Sequence, residues 1–351
     1  MSFSSSLIRW YHRNKRVLPW RDTKNPYHIW LSEIILQQTR VEQGLPYFEQ
    51  FIKKYPTLKQ LAAAPEDEVL KLWQGLGYYS RARNMLATAR IIVQEHKAVF
   101  PKTAAELSQL KGIGPYTAAA VASFAFREAV PVVDGNVFRV LSRYLGITTP
   151  IDSSGARKVY TQAAAELMDR KRPDEFNQAI MEFGATVCTP KKAGCLTCFL
   201  ADSCSAFANG TVEQLPVKAK KTKQTHRYFN YLLIEQGNYT YLNKRTKNDI
   251  WKNLFELPLI ESSHSLTDEE LLQHEEFKAI LGSAPFIIQG ETTETRHLLS
   301  HRVINARFIQ LKITGSKSIL PTNYQKIKIS TLSTYPIPRI LDIYLKKLTL
   351  I

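Results

Sequence analysis

The sequence has few acidic side chains for its number of basic ones, and it has no long hydrophobic run. Its 351 residues include 47 Lys and Arg against 31 Asp and Glu, a formal net charge of +16. No stretch approaches the roughly 18 apolar residues that a transmembrane helix needs, and residues 1–16 contain no apolar segment like that of a secretory signal. We therefore expect a cytoplasmic protein that does not bind membranes.

The positive net charge favours a polyanionic partner, with nucleic acid as the first candidate. A basic protein without such a partner would show the same excess of basic residues.

Cysteine is scarce and is confined to one place. The four cysteines, Cys188, Cys195, Cys198 and Cys204, form the array C-x6-C-x2-C-x5-C. Because disulfides are disfavoured in a reducing cytoplasm, four neighbouring thiols indicate a metal site. Four thiolates can hold a tetrahedral zinc ion or an iron–sulfur cluster, and the spacing alone does not decide between them.

Up to about Pro216 the sequence is patterned as helices. Apolar residues recur at helical spacing, as in residues 104–110 and 117–126, and glycines separate the helical segments. We predict an all-α domain over residues 1–215.

The remainder of the chain has a different pattern of charged and apolar residues. Residues 216–227 form a basic segment without acids, which we interpret as a linker close to phosphate; its charges are Lys218, Lys220, Lys221, Lys223 and Arg227. Beyond it, β-like runs at 228–234, 286–288 and 303–313 accompany helical stretches near 268–273 and 337–348. We predict a second, smaller α+β domain over residues 228–351.

Residues 110–120 read LKGIGPYTAAA. Gly112 and Gly114 permit a tight turn, and Pro115 suits the first turn of a helix. The free amide groups at the start of such a helix can bind phosphate. An ordinary connection between two helices has the same features, so the motif alone is weak evidence.

Glu33 is a candidate general acid. It lies in residues 29–36, IWLSEIIL, where apolar side chains surround the helix axis and predict burial. Burial raises the pKa of a carboxyl group and lets it donate a proton near neutral pH. The alternative is a Glu33–Arg40 pair on a partly exposed face.

Asp134 is the second candidate carboxylate. It stands in VVDGNVFRVLSR, residues 132–143, where a β-branched run meets a glycine and then a helix. Aspartate before glycine is also common as a turn or N-cap residue, and the local pattern alone favours that structural role.

Five segments together resemble the MutY family of adenine DNA glycosylases, which are helix-hairpin-helix proteins related to endonuclease III. They are LSEIILQQTRV (31–41), GLGYYSRARN (75–84), the 110–120 hairpin, VVDGNVFRVLSR (132–143) and the cysteine loop (188–204). The segments occur in the family's order over about residues 7–215.

The resemblance implies an all-α helix-hairpin-helix glycosylase domain. Its hairpin, with Gly112 and Gly114, would contact the DNA backbone without reading sequence. Its cysteine loop would hold a [4Fe–4S] cluster on all four cysteines and place the basic residues Lys191 and Lys192 against DNA.

The resemblance also assigns catalytic roles. Glu33 would protonate N7 of adenine, and Asp134 would stabilise the sugar cation at C1′ or bond to it transiently. Tyr116 and Asn136 would support this site. The adenine must first leave the base stack, because neither carboxylate can reach it inside the duplex.

Further positions are matched to substrate contacts. By resemblance, Gln38 and Thr39 would contact the lesion side of the mispair, with Leu76 and Tyr78 as a wedge beside it. Some family members have a glutamate where this chain has Gln178, whose amide could still bind the base. Two more candidates for substrate contact are Trp20 and Arg21.

Tyr116 distinguishes the chain from lyase relatives. Those relatives place a Schiff-base lysine at this position, and a tyrosine cannot form an imine with the sugar. We therefore expect a monofunctional glycosylase.

The second part of the chain resembles the Nudix-like domain of the same family. WKNLFELP (251–258) resembles its entry strand, but no magnesium-binding Nudix helix is present in the sequence, so we expect recognition without hydrolysis. RHLLSHR (296–302) matches the loop that probes 8-oxoguanine. Leu299 replaces the usual phenylalanine as an apolar wedge, while Ser300 and His301 keep their hydrogen-bonding groups.

These observations predict a monomeric base excision repair enzyme, cytoplasmic and associated with the nucleoid if bacterial. The expected substrate is double-stranded DNA in which adenine is mispaired with 8-oxoguanine or guanine. Two alternatives stay open: a bifunctional pyrimidine-lesion glycosylase with lyase activity, and a non-catalytic iron–sulfur protein that senses DNA structure or redox state. A zinc-dependent RNA-binding protein is more remote, since no RNP-type aromatic motif is present.

Overall fold

A computed structural model describes residues 2–219, 224–315 and 321–351. The chain forms two compact units, and neither is continuous in sequence. The first contains Met1–Ala63 and Asn84–Lys220, and the second contains Ala64–Arg83 and Lys221–Ile351. Lys220, Lys221 and Lys223 of the predicted linker lie outside the described residues.

The N-terminal two thirds of the chain contain twelve helices in the described residues. In chain order they are α1 (Phe3–Asn14), α2 (Pro26–Leu36), α3 (Val41–Lys54), α4 (Leu58–Ala63), α5 (Glu66–Leu72), α6 (Ser80–Glu95), α7 (Ala104–Leu107), α8 (Pro115–Phe126), α9 (Gly135–Leu145), α10 (Ala156–Leu167), α11 (Pro173–Thr186) and α12 (Ser205–Ala208). Short 3-10 turns occur at Cys195–Thr197, Ala201–Ser203 and Val212–Gln214. Helix α5 and the start of α6 belong to the second unit.

The first unit is all-α, as predicted, and two of its helices are apolar around most of their circumference. Eight of the eleven residues of α2 are buried, and the alanine-rich α8 packs directly against it. Helices α1, α9 and α11 pack together around a separate apolar cluster that includes Leu7, Val140, Phe176 and Phe183. The apolar contacts fix the backbone of α2, α8, α9 and α11, which carry the candidate catalytic residues.

The second unit is α+β. Its strands are β1 (Thr225–Glu235), β2 (Tyr239–Lys244), β3 (Phe255–Glu256), β4 (Leu259–Ser262), β5 (Phe286–Leu298), β6 (Arg302–Ile313) and β7 (Gln325–Lys328). The helices that accompany them are α13 (Asp268–Gln273), α14 (Glu275–Leu281) and α15 (Arg339–Lys347), with a 3-10 helix at Ile329–Thr334.

Two sheets form the second unit. The four-stranded sheet has the order β4-β1-β6-β5, with β1 and β6 parallel and the other pairs antiparallel. The three-stranded sheet has the order β3-β2-β7. One apolar cluster joins these strands to α15 and another joins them to α13 and α14, so each face of β1 and β6 is covered over part of its length.

Strand β1 begins at Thr225 and pairs with β6. The last three residues of the predicted linker, 225–227, are therefore strand.

Residues 64–83 pack with the C-terminal part of the chain. The Gln74 amide donates to Asp342 Oδ1 at 2.9 Å, and Arg83 donates to the Lys252 carbonyl at 2.8 Å. This segment lies inside the range predicted as the first domain, so the predicted boundaries and the compact units do not coincide there.

No helix in the described ranges is both long and apolar enough to cross a membrane.

Candidate active site

A cavity of about 650 Å³ lies in the first unit. Its walls come from α2, α8, α9, α11 and the segments that follow α1 and α2. The cavity brings together nine residues that the sequence marked as site candidates: Trp20, Arg21, Glu33, Gln38, Thr39, Tyr116, Asp134, Asn136 and Gln178. These residues are spread over most of the unit's sequence, so the fold alone creates their proximity.

Glu33 is buried, as its helix predicted, with 6% of its surface exposed. Its partner is Tyr116 on α8, whose hydroxyl donates to Glu33 Oε2 at 2.6 Å, and not Arg40. Burial, with a smaller contribution from the negative charge of Asp134, raises the pKa of Glu33 to about 7, although the Tyr116 hydrogen bond and Arg21 oppose the rise. The carboxyl group can therefore carry a proton at neutral pH.

Asp134 is both an N-cap residue and a carboxylate on the cavity wall. It is the N-cap of α9, and its Oδ1 accepts from the backbone amides of Asn136 and Val137 at 2.9 and 2.8 Å. Its Oδ2 accepts from the Asn136 side-chain amide at 2.8 Å, and the residue also lines the cavity. Burial raises the pKa of Asp134, and these three donors act against that rise. The three fixed donors favour the charged form of this carboxylate.

A chain of hydrogen bonds leads from Asp134 to the cysteine loop. Asn136 donates to Asp134 and accepts at its Oδ1 from Arg139 at 2.8 Å. Arg139 in turn donates through Nε to the Cys188 carbonyl at 2.7 Å. Arg143, one turn further along α9, lies 3.5 Å from Cys188 Sγ and donates to the Thr189 carbonyl at 2.8 Å. Helix α9 therefore connects the cavity to the cysteine loop.

The four cysteines line one small, mainly apolar cavity in the first unit. No disulfide joins these four cysteines, and the apolar wall includes Val140, Phe183 and Leu200. In the part of the chain that the structure describes, no three Cys, His, Asp or Glu side chains are grouped closely enough to hold a single metal ion. Lys191 and Lys192 in the same loop are exposed.

The glycine motif forms a tight connection between α7 and α8. Gly112 has φ of +77°, and a Cβ there would lie 2.6 Å from the Cβ of Asn84, so no side chain fits. Gly114 is the N-cap of α8 and Pro115 its first residue, and no side chain caps this helix start. The amide groups at the start of α8 are thus not used by a capping side chain, as a phosphate contact requires.

The segment after α2 divides its side chains between the interior and the cavity. The Gln37 amide donates to Thr117 Oγ1 at 3.1 Å. Gln38, with φ of +57°, and Thr39 line the cavity instead. The left-handed backbone at Gln38 is what turns consecutive residues in different directions.

The sequence analysis missed Glu182 and its partner Arg16, which both line the cavity. Glu182 on α11 is fully buried, with no exposed surface, and its carboxylate binds Arg16 and Arg21. Burial alone would raise the pKa of Glu182, but hydrogen bonds from the two arginines lower it to about 2. The available signal was an acid on the apolar face of the helix in FNQAIMEFGA, residues 176–185.

The remaining candidates lie in the second unit. The Tyr78 hydroxyl hydrogen-bonds with Ser300 Oγ, and Tyr78 is 47% exposed with φ of +48°. Ser300 and His301 form the exposed tip between β5 and β6, which a hydrogen bond from Leu299 N to Arg302 O closes at 2.8 Å. Leu299 is partly buried against the core of this unit, and Leu76 is buried. Residues separated by more than 200 positions thus form one surface.

Comparison with known proteins gives matches over both parts of the chain. The profile of the HhH-GPD superfamily of base excision DNA repair proteins matches residues 31–165, and the NUDIX domain profile matches residues 230–347. An adenine DNA glycosylase of Buchnera aphidicola subsp. Acyrthosiphon pisum is 33% identical over 326 residues, which are 93% of this chain and 91% of that protein. The human adenine DNA glycosylase is 44% identical over 223 residues, 61% of this chain and 41% of that protein.

Among solved structures, a thermostable thymine-DNA glycosylase superposes with a TM-score of 0.55 at 28% identity. The match covers 59% of this chain and 95% of that chain. The match supports the helical glycosylase fold.

Proposed function

The chain belongs to the adenine DNA glycosylases, helix-hairpin-helix enzymes of base excision DNA repair, and from this we propose that it releases adenine mispaired with 8-oxoguanine or guanine in double-stranded DNA. The observation that carries the proposal is the meeting of Glu33 and Asp134 in one cavity that is large enough for a purine base. The two carboxyl groups have different partners there, which suits an acid and an ionised carboxylate.

The proposed reaction breaks the bond between C1′ of the sugar and N9 of adenine. The electron pair leaves with the base, which accepts a proton at N7 from Glu33. Asp134 stabilises the positive charge that develops at C1′. Water then supplies a hydroxyl group to C1′, and its proton returns to the Glu33 carboxylate. Tyr116 holds the Glu33 carboxyl group by its hydrogen bond, and Asn136 holds Asp134.

The composition of the cavity supports hydrolysis without strand cleavage. Tyr116 occupies the position of the lyase lysine, and burial raises the pKa of its hydroxyl well above the ordinary value. Among the described residues, no lysine lines the cavity. A Schiff base with the sugar requires an amine, so we propose a monofunctional enzyme.

The cysteine loop suits the [4Fe–4S] cluster that the family resemblance implies. The four cysteines line one mainly apolar cavity, and membership of the adenine DNA glycosylases favours this cluster over a zinc ion. Cys188, Cys195, Cys198 and Cys204 would be its ligands, and a bound cluster would cross-link the loop to itself.

The second unit supports a role in recognising the lesion. Tyr78 and Ser300 present hydroxyl groups at the surface, and His301 adds a ring nitrogen donor or acceptor. We propose that these residues and Leu76 contact 8-oxoguanine or its neighbours, while Leu299 contributes mainly to the packing that supports the tip.

The test is single-turnover base release from duplexes with adenine opposite 8-oxoguanine, guanine or thymine. We expect free adenine from the first two, intact strands until alkali is added, and no borohydride-trapped adduct. Cleavage and trapping on a pyrimidine-lesion duplex, without adenine release, would identify a bifunctional lyase instead. Tight binding to mispaired duplexes without release of any base would indicate a non-catalytic protein.

A further inference from the structure

One wall of the cavity contains a buried carboxylate between two arginines. Glu182 Oε1 accepts from the backbone amide of Arg16 at 3.0 Å and from its Nε at 2.8 Å. Glu182 Oε2 accepts from the NH2 groups of Arg16 and Arg21 at 2.7 and 2.6 Å. Four donors thus converge on one side chain that has no exposed surface.

The arginines are held in place by further contacts. Arg21 NH1 donates to the Arg16 carbonyl at 3.0 Å, and its guanidinium lies 5.7 Å from the centre of the Tyr11 ring. Arg16 approaches a second acid, Glu42 on α3, only to 3.8 Å, and the Glu42 side chain is 75% exposed. Solvent screens that second contact, so Glu182 is the main counter-charge for both arginines.

Glu182 and its two arginines leave a net positive charge on the cavity wall. Two guanidinium groups and one carboxylate give a net charge of about one positive unit beside the cavity. One arginine already supplies the opposite charge for a buried carboxylate, whereas Glu182 binds two arginines that both line the cavity. The second arginine therefore points to a role in the site and not only in folding.

This charge matters for the proposed chemistry. The base accepts a proton in the reaction, and positive charge nearby opposes that step. The positive charge of Arg21 already lowers the pKa of Glu33. Tyr116 on α8 and Asp134 on α9 also face the Glu33 carboxyl group: the Tyr116 hydrogen bond lowers its pKa and the charge of Asp134 raises it. Without Glu182 the wall would carry one more positive unit, and the acid would lose its proton more readily.

We propose that Glu182 is a positioning residue that holds Arg16 and Arg21 on the cavity wall and limits the positive charge that the base meets when it is protonated. The inference rests on the proposed function. Hydrogen bonds from both arginines lower the pKa of Glu182 to about 2, although burial opposes this, so the residue stays ionised throughout the range of an activity assay.

The experiment compares pH–rate profiles of adenine release in three variants under single-turnover conditions. Glu182→Gln removes the negative charge with little change of shape. The profile falls at high pH as Glu33 ionises, and this fall should move to lower pH by about one unit, so that the rate at pH ~8 drops about tenfold. The double variant Arg16→Gln/Glu182→Gln restores the net charge and should recover the wild-type position of the fall.

Arg16→Gln alone keeps Glu182 and removes one positive charge, so its fall should move to higher pH. This variant tests the inference even if Glu182→Gln does not fold, which circular dichroism and thermal unfolding would reveal. An unshifted profile in Arg16→Gln, or a double variant as impaired as Glu182→Gln alone, would overturn the inference and leave a purely structural role. If the wild type releases no adenine, the proposed function fails instead.

Discussion

The cavity of the first unit and the β5–β6 tip of the second unit place their functional groups in opposite environments. In the cavity, Glu33 is buried and Asp134 is half-buried, and each accepts hydrogen bonds from fixed neighbours. At the tip, Ser300 and His301 are exposed, and Tyr78 reaches the same surface from a distant part of the chain. The proposed bond breaking needs a carboxyl group whose proton affinity burial has changed, whereas the proposed recognition needs groups exposed to DNA.

The contrast predicts different kinds of defect in the two regions. Cavity variants should lose rate and keep DNA binding. Tip variants should keep rate on bound substrate and lose discrimination between mispairs.

The largest effect is expected from Asp134→Asn. The substitution keeps the shape and much of the N-cap but removes the charge that we propose stabilises the developing cation, and we expect adenine release to slow by about 10³-fold or more. Single-turnover kinetics measures the rate, and a gel-shift titration measures binding. Exposed Glu49→Gln on the same unit serves as the control. Weak binding by Asp134→Asn with little change in rate on bound DNA would contradict the assigned role.

The next effect is expected from Cys198→Ser in the cysteine loop. We expect loss of bound iron and sulfide and a lower Tm, by roughly 10 °C, because the cluster would no longer fix the loop. Activity should fall as well, since the Asp134–Asn136–Arg139 chain ends at the Cys188 carbonyl. Metal analysis of the purified wild type and variant checks this. A wild type that binds one zinc ion and no iron would exclude the proposed cluster.

A smaller and more selective effect is expected from Ser300→Ala. Loss of one hydroxyl contact should reduce the preference for the 8-oxoguanine mispair over the guanine mispair by up to about tenfold. The release rate from a saturated guanine mispair should not change. Exposed Ser263→Ala in the same unit is the matched control. Equal slowing on both mispairs would remove the distinction between the two regions.

The smallest effect is expected from Tyr116→Phe. The Tyr116 hydroxyl donates to the Glu33 carboxylate and so favours its ionised form. Its removal should raise the pKa of Glu33 and move the high-pH fall in rate upward by about half a unit, with a few-fold change in the maximal rate. A pH–rate profile measures both quantities. A downward shift would mean that the hydrogen bond does not act on the ionised form.

Much of the first unit could be predicted because its local patterns agree with its tertiary structure. The apolar circumference of residues 29–36 predicted the burial of Glu33, and the structure confirms it. For Asp134, the N-cap and the cavity position are not alternatives, because the first residues of α9 form part of the wall. Glu182 was missed since its partners are more than 160 residues away in sequence.

The second unit was less predictable for two physical reasons. Strand β5 extends over Phe286–Leu298, but only 286–288 looked like a strand, because the rest is polar and lies at the edge of the sheet with little burial. Residues 64–83 read as part of the helical domain because their pattern is helical. Only contacts distant in sequence, such as Gln74 with Asp342, assign them to the second unit.

The most direct test of the account is the pH dependence of adenine release by the wild type and by Glu33→Gln. Burial raises the pKa of Glu33 to about 7, so the wild-type rate should fall as the pH rises through about 7 and the acid loses its proton. Glu33→Gln should be at least about 10²-fold slower and should lack this fall. A wild-type rate that stays constant from about pH 6 to about pH 9 would contradict the account, as would a Glu33→Gln variant as fast as the wild type.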